Sequence, residues 1–293
     1  MKQLLILSGK GGTGKTTVAA SFIRLSSAKA YADCDVDAPN LHLVTVHREE
    51  PAHLDYYGMP KAFIDPDKCL GCGICMDYCR YDAISLESEC RILPLSCEGC
   101  GVCEYVCPAG AVSFIPDIAG DLMLYRNDTV FSTAELRMGS GTSGKLVTEV
   151  KKQMIKETNN KGFAVVDGSP GIGCPVIASI SGVDMVLLVT EPSVSGISDL
   201  ERIVSTARRF QTPVVVCTNK FDQNLSRSNE IERFCSREKL PFAGRIPYDP
   251  AALAATNRGL AVVDCECPAA GAIREVYQNT LALFNREGQD VLA

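Results

Sequence analysis

The 293-residue chain is predicted to be an α/β protein on a doubly wound, mostly parallel sheet, with a small α+β unit inserted into it. Three observations predict this. A glycine-rich loop near the N-terminus sits between an apolar run and a helix-compatible segment. Further charge-free apolar runs recur downstream and end in polar or acidic residues, as strands buried on both faces do. Between the early and late runs stand two series of closely spaced cysteines, foreign to such a sheet.

The first element is a strand at Gln3–Leu7, followed by Ser8, Gly9, Lys10, Gly11, Gly12, Thr13, Gly14, Lys15, Thr16 and Thr17, then a helix over Val18–Leu25. Strand, glycine loop, Lys-Thr and helix is the context of a P-loop, and Gly9, Gly14, Lys15 and Thr16 occupy its fixed positions. Glycines let successive N–H groups turn inward around phosphate oxygens, and the helix adds its positive N-terminal end. Lys15 is expected on the β/γ-phosphates and the Thr16 hydroxyl on Mg²⁺.

Lys10 adds a second lysine at the start of the loop. The stretch Lys10-Gly-Gly-Thr-Gly-Lys-Thr-Thr17 resembles the deviant Walker A family, which includes the MinD and ParA ATPases, the nitrogenase iron protein and the Mrp-type iron–sulfur proteins. The resemblance implies an ATP/ADP-binding P-loop NTPase that forms a homodimer on ATP binding. In that family the extra lysine crosses the two-fold interface to the partner's nucleotide, which makes Lys10 a trans-acting charge.

Composition is that of an ordinary globular protein, 46% hydrophobic and 22% charged. A net charge of −6 argues against a nucleic-acid binder that works through a basic surface. No apolar run is long enough to span a bilayer, and the N-terminus reads as a core strand rather than an export signal. Fifteen cysteines in such a chain point to metal rather than disulfides, and to a cytoplasmic protein.

A second strand is expected at Ala30–Cys34, running into Asp33, Asp35 and Asp37. Carboxylates at the C-terminal end of a parallel strand face the ligand crevice. The family resemblance makes this Asp-x-Asp segment switch I, with Asp35 orienting the attacking water and Asp33 or Asp37 nearer the metal. Capping of a turn is the alternative use of such residues. From Arg48 to Pro60 the character changes, and proline marks a boundary.

The cysteine runs follow: Cys69, Cys72, Cys75 and Cys79, then Cys97, Cys100, Cys103 and Cys107, the last followed by Pro108. Together they resemble a two-cluster bacterial ferredoxin, in which the fourth cysteine of each run serves the other cluster. The resemblance implies one [4Fe–4S] cluster on Cys69, Cys72, Cys75 and Cys107, and a second on Cys97, Cys100, Cys103 and Cys79. Zinc competes, since paired CxxC motifs build zinc ribbons, but zinc takes four ligands and leaves the third cysteine of each run surplus. The phrases Asp82-Ala83-Ile84-Ser85 and Gly110-Ala111-Val112-Ser113 follow their runs alike, as in a duplicated unit. Arg80 departs from the proline expected after the fourth cysteine. Residues 60–116 hold four basic and eight acidic side chains, an acidic surface suited to basic redox partners. Cys90 lies between the runs and reads as a packed thiol.

Near Asp117 the chain returns to the nucleotide fold. Met138–Lys145 is glycine-rich and reads as a mobile surface loop, or less readily a second anion loop, before a helix at Leu146–Lys156. The strand Phe163–Asp167 ends in a carboxylate, the Walker B pattern with Asp167 on Mg²⁺ through water. Gly168–Pro175 resembles switch II, whose glycines permit movement when the γ-phosphate leaves. Within it stands Cys174. In the nitrogenase iron protein a cysteine at the corresponding place ligates a cluster shared across the dimer axis, so Cys174 is a candidate contact there, alone or with Cys265 or Cys267.

Val183–Val189 and Pro213–Cys217 read as two more buried strands. The second leads to Asn219, Lys220 and Asp222, a base-recognition pattern; the family context favours adenine, and GTP stays open. Arg245–Asp249, with Pro247 and Asp249, would line the base pocket by the same resemblance. The C-terminal helix Ala272–Phe284 has one apolar face, and Arg274 is balanced by Glu275 and Arg286 by Glu287, which suits packing on the sheet rather than a membrane anchor.

These pieces divide the chain into a discontinuous ATPase domain, 1–58 and 117–293, and a two-cluster ferredoxin domain, 59–116. Three functions are compatible: an ATP-gated electron carrier with a redox partner, an iron–sulfur carrier of Mrp type serving an apo-protein, or a partitioning switch that senses redox state.

Overall fold

The structure, a computed structural model, describes residues 1–290 apart from 27, 46, 48, 87, 88 and 127, with residues 286–290 described by their backbone alone. Arg48 and the side chains of Arg286 and Glu287 therefore lie outside the described residues. The chain opens with β1 (Lys2–Leu7), α1 (Lys15–Ser26), β2 (Ala30–Asp33) and β3 (Ala52–Tyr57). Next come β4 (Lys61–Ile64), α2 (Ile74–Asp77), β5 (Ile84–Leu86), β6 (Cys90–Ile92), α3 (Val102–Tyr105) and β7 (Val112–Ile115). Then follow β8 (Ile118–Arg126), β9 (Val130–Leu136), α4 (Ser143–Glu157), β10 (Phe163–Asp167) and α5 (Cys174–Ile180). The chain ends with β11 (Met185–Thr190), α6 (Val194–Arg209), β12 (Val214–Asn219), α7 (Leu225–Arg237), β13 (Phe242–Ile246), α8 (Pro250–Asn257) and α9 (Pro268–Asp290).

Among the described residues a nine-stranded sheet runs in the order β13-β12-β11-β1-β10-β2-β9-β8-β3. Pairings from β13 to β9 are all parallel, and β8 and β3 complete the edge antiparallel. The central strands are apolar on both sides because both faces are covered. Leu5, Leu7, Val166 and Leu188 face one apolar cluster with α4, α5, α6 and α7. Leu4, Ile6, Val165 and Leu187 face the other, with α1, α8 and α9. Strands buried on two sides lose the period-two alternation, and this is why the runs read as continuous. Parallel pairing also sets the carboxyl ends of β1, β2, β10, β11 and β12 along one edge, where the crevice of such a sheet lies.

The fold class is as expected; the edge is not. The sequence predicts a change of character and no strand in residues 48–60, yet Ala52–Tyr57 joins the sheet as β3. Its side chains are exposed except Tyr56, so the strand carries little apolar signal. The hairpin of β8 and β9 was likewise not anticipated. Gly120 and Asp121 interrupt its apolar pattern.

Between Tyr57 and Ile118 lies a smaller unit with its own apolar cluster, including Ala62, Ile64, Ala83, Ile84 and Val112. It holds two antiparallel pairs, β4 with β7 and β5 with β6. The expected duplication is visible in its backbone. Its two copies are 28 residues apart, as Cys69 is from Cys97. The Asp65 N–H donates to the Ala111 carbonyl at 2.8 Å, and the Leu93 N–H to the Ala83 carbonyl at 2.8 Å. Asp82 and Gly110, also equivalent, both take a left-handed φ, 48° and 59°.

Candidate nucleotide site and cysteine cavities

The loop between β1 and α1 packs so closely that glycine is required at two of its positions. A Cβ on Gly9 would come within 2.1 Å of the Asp199 Cβ, and one on Gly14 within 2.3 Å of the Asn219 amide nitrogen. Gly14 also has a φ of 89°, which a side chain would strain. Gly11 and Gly12 face open space. Thr13 is buried, while Thr16 and Thr17 are half-buried at the start of α1.

Lys15 and Asp167 come together here from the ends of the loop and of β10. The Lys15 Nζ donates to Asp167 Oδ1 at 2.5 Å, with both groups buried, and lies 3.4 Å from the Thr16 hydroxyl. Burial by itself would lower the lysine's pKa, but Asp167, Asp33 and Asp35 outweigh it and hold the ammonium above its ordinary value. The second oxygen of Asp167 is buried with no hydrogen-bond partner among the described residues. A buried carboxylate oxygen left unpaired is costly. Beside a threonine hydroxyl it suits a hydrated divalent cation, so these residues fit Mg²⁺.

Asp33, at the end of β2, is paired in register with Asp167. It is fully buried, and its two oxygens accept the N–H groups of Asp35 (3.0 Å), Asn40 (3.0 Å) and Leu41 (2.9 Å). Asp33 thereby shapes the following loop. Burial and then Asp167 push its pKa up to about 7, opposed by Lys15. Asp35 is half-buried and pushed up to about 6, first by burial, with Lys15 opposing and Asp167 and Asp37 adding. Asp37 is exposed. The segment after β10 is tied to the loop as well: the Gly168 N–H donates to the Ile6 carbonyl at 2.9 Å and the Gly171 N–H to the Ser8 carbonyl at 3.1 Å.

Lys10 pairs with Glu191 of its own chain, and Lys220 stands 3.8 Å from the same carboxylate. Neither Glu191 nor Asp199 was singled out from sequence. The available signal was that Glu191 follows a buried parallel strand directly, on the ligand edge. Asn219 donates its amide to the Thr13 carbonyl at 2.7 Å, and Lys220 donates to the Gly12 carbonyl at 2.8 Å. Both residues thus brace the phosphate loop. Asp222 accepts the Tyr248 N–H at 2.7 Å, which joins the segment holding Pro247 to this brace. Asp249 caps α8 through the Ala251 N–H and also accepts the Ala269 N–H.

The eight cysteines of the two runs line two cavities. Cys69, Cys72, Cys75 and Cys107 line the first, and Cys79, Cys97, Cys100 and Cys103 the second. The Ala111 N–H donates to the Cys107 sulfur at 3.3 Å, and the equivalent Ala83 N–H to the Cys79 sulfur at 3.4 Å. Among the described residues no three His, Cys, Asp or Glu side chains converge on one metal ion. Four thiols on one cavity wall are the donor set that a [4Fe–4S] cluster takes, so the residues present fit such a group.

Cys174 is exposed at the first position of α5, so it is not a packed core thiol. Cys265 and Cys267 pack against the apolar cluster on the opposite face of the sheet, and they do not join it within one chain. The glycine-rich stretch that runs into the first turn of α4 is seated on its neighbours. A Cβ on Gly139 would meet Leu95 at 3.1 Å, one on Gly141 the Glu98 carboxylate at 2.6 Å, and one on Gly144 the Cys174 Cβ at 3.2 Å. A carboxylate against Gly141 does not suit a second anion loop.

Residues 4–262 match the family described as the CobQ/CobB/MinD/ParA nucleotide binding domain. An uncharacterized protein of Methanocaldococcus jannaschii is 34% identical over 227 residues, covering 76% of this chain and 79% of that protein. The iron-sulfur cluster carrier protein of Pyrococcus horikoshii is 23% identical, covering 94% of this chain and 84% of its own. Among solved structures, the septum site-determining protein MinD of Pyrococcus horikoshii, complexed with Mg-ADP, superposes with a TM-score of 0.58 at 19% identity, over 95% of each chain. The cell division ATPase MinD of Pyrococcus furiosus gives 0.57 at 18% identity, over 96% of this chain and 99% of that one. No helix among the described residues is long and apolar enough to cross a membrane.

Proposed function

The chain belongs to the CobQ/CobB/MinD/ParA nucleotide-binding family, and from that premise we propose that it is a Mg²⁺-dependent ATPase whose nucleotide-driven dimerisation is coupled to electron transfer through two [4Fe–4S] clusters. Residues 59–116 form the ferredoxin-like insert in this reading. The observation that carries it is the pair of cavities that each gather four of the eight run cysteines, repeated within one chain and joined to a sheet whose ligand edge holds Lys15, Thr16 and Asp167.

Lys15 moves from Asp167 to the β/γ-phosphates of ATP, and the freed carboxylate and the Thr16 hydroxyl hold Mg²⁺. Asp35, half-buried beside them, orients the attacking water. Lys10 leaves Glu191 and reaches the partner's nucleotide, adding positive charge where the transition state gains negative charge. ADP and phosphate then leave the dimer without its bridging charges. The clusters, held by the cysteine sets named above, supply one-electron storage. Cys174 stands at the dimer-facing segment as a transient cluster or redox contact. Anaerobically purified protein should contain about eight irons per chain; stoichiometric zinc with little iron would overturn the assignment.

A carrier role is the second reading, favoured by the exposure of Cys72 and Cys100, one on the rim of each cavity, and by relatives named iron-sulfur cluster carrier proteins. A carrier loses its iron to an apo-protein upon incubation with ATP. An electron carrier keeps all its iron through turnover.

A further inference from the structure

The two cavities are copies of one design, and they differ at one wall. Shifted by the 28-residue repeat, Ile64 falls on Ile92, Ala111 on Ala83 and Val112 on Ile84, and each member of a pair lines its own cavity. By the same shift, the position that Ala62 fills in the second cavity is filled in the first by Cys90. Cys90 lies on β6, is 5% exposed, and lines the same cavity as Cys75, itself 8% exposed. The first cavity therefore has five thiols on its wall, and the second has four.

Resting on the two-cluster reading above, we propose that Cys90 is a reserve ligand of the first cluster, able to take the iron that Cys75 would hold. Thiolate sulfur is the ligand these irons require, and Cys90 already stands inside the cavity beside the residue it would replace. The exchange is a ligand substitution. The Cys90 thiol gives its proton to water, an Fe–S bond forms to its sulfur, and the bond to Cys75 breaks with that thiolate taking a proton. No iron changes oxidation state. The second cavity has no such reserve, because a methyl group occupies the equivalent place.

Iron and sulfide content, with the low-temperature electron paramagnetic resonance of the reduced protein, test this on the full chain purified anaerobically. Cys75→Ala should keep about eight irons per chain, whereas Cys103→Ala, its repeat equivalent, should fall to about four. Cys75→Ala combined with Cys90→Ala should also fall to about four. Ala62→Cys placed in the Cys103→Ala chain should restore the missing cluster, since it recreates the wall of the first cavity. Nucleotide binding by each variant reports whether the sheet is folded. If wild-type protein holds eight irons and Cys75→Ala alone drops to four, the reserve role is wrong while the two-cluster reading stands. If wild-type protein holds zinc or no iron, the reading itself fails, and the reserve role with it.

Discussion

Lys15 sits among three carboxylates, and its contact with Asp167 is buried on both sides. Removing one member of such a pair costs about 3–5 kcal/mol. Lys15→Ala also removes the cation placed on the β/γ-phosphates, and should weaken ATP binding at least about a hundredfold by calorimetry. Lys10 is different, because it is partly exposed and its partner Glu191 only part-buried. Lys10→Ala should bind nucleotide normally but neither dimerise with ATP nor turn over; normal dimers in sedimentation would end the trans-lysine assignment. Cys174→Ala should change iron content, ATPase rate or electron delivery, and if none of the three moves, Cys174 has no such contact. Much of this site was legible because phosphate chemistry fixes residue type and spacing together. Glu191 was not, since an acidic residue beside a proline has many uses and only the fold brings it to Lys10.

Legibility at the level of elements follows burial. Strands β1, β10, β11 and β12 are buried along their length and were found within a residue or two. Strand β3, exposed on nearly every residue, was missed. The loop before β3 packs by other means: His47 stacks on Phe131 at 5.0 Å and Tyr125 at 4.3 Å between ring centroids, and shares a 2.7 Å hydrogen bond with Thr45. Burial, and to a lesser degree His42, push the His47 imidazole down to about 4. An unfolded imidazole titrates near 6.5. Between those values the unfolded chain takes up a proton that the folded chain refuses, so the stability contributed by neutral His47 is present above about 6.5 and drains as pH falls towards 4. His47 is only half-buried, so solvent screening trims the effect, and His47→Gln should flatten that acid limb by about 1 kcal/mol in denaturant titrations at pH 7 and 4.5. An unchanged pH dependence would place the acid sensitivity elsewhere.

In the whole molecule, the cysteine spacing announced a second unit, but not where it would hang. It hangs from the edge of the sheet, where Tyr57 pairs with Ile118 across antiparallel strands. Paired residues on adjacent strands lie about 5 Å apart, so the unit enters and leaves the chain at nearly one point. Such an arrangement makes it a cassette. Replacing residues 58–117 by Asn-Gly would convert β3 and β8 into an ordinary hairpin, because that dipeptide suits the tight turn between right-handed twisted strands. The shortened chain should fold and bind ATP, and it should lose all its iron; failure to fold would show that Leu95 and Glu98 are needed to support the segment before α4. For descent as for engineering, one splice point allows a nucleotide-binding sheet to acquire, exchange or discard an inserted unit without any revision of the strands that carry it.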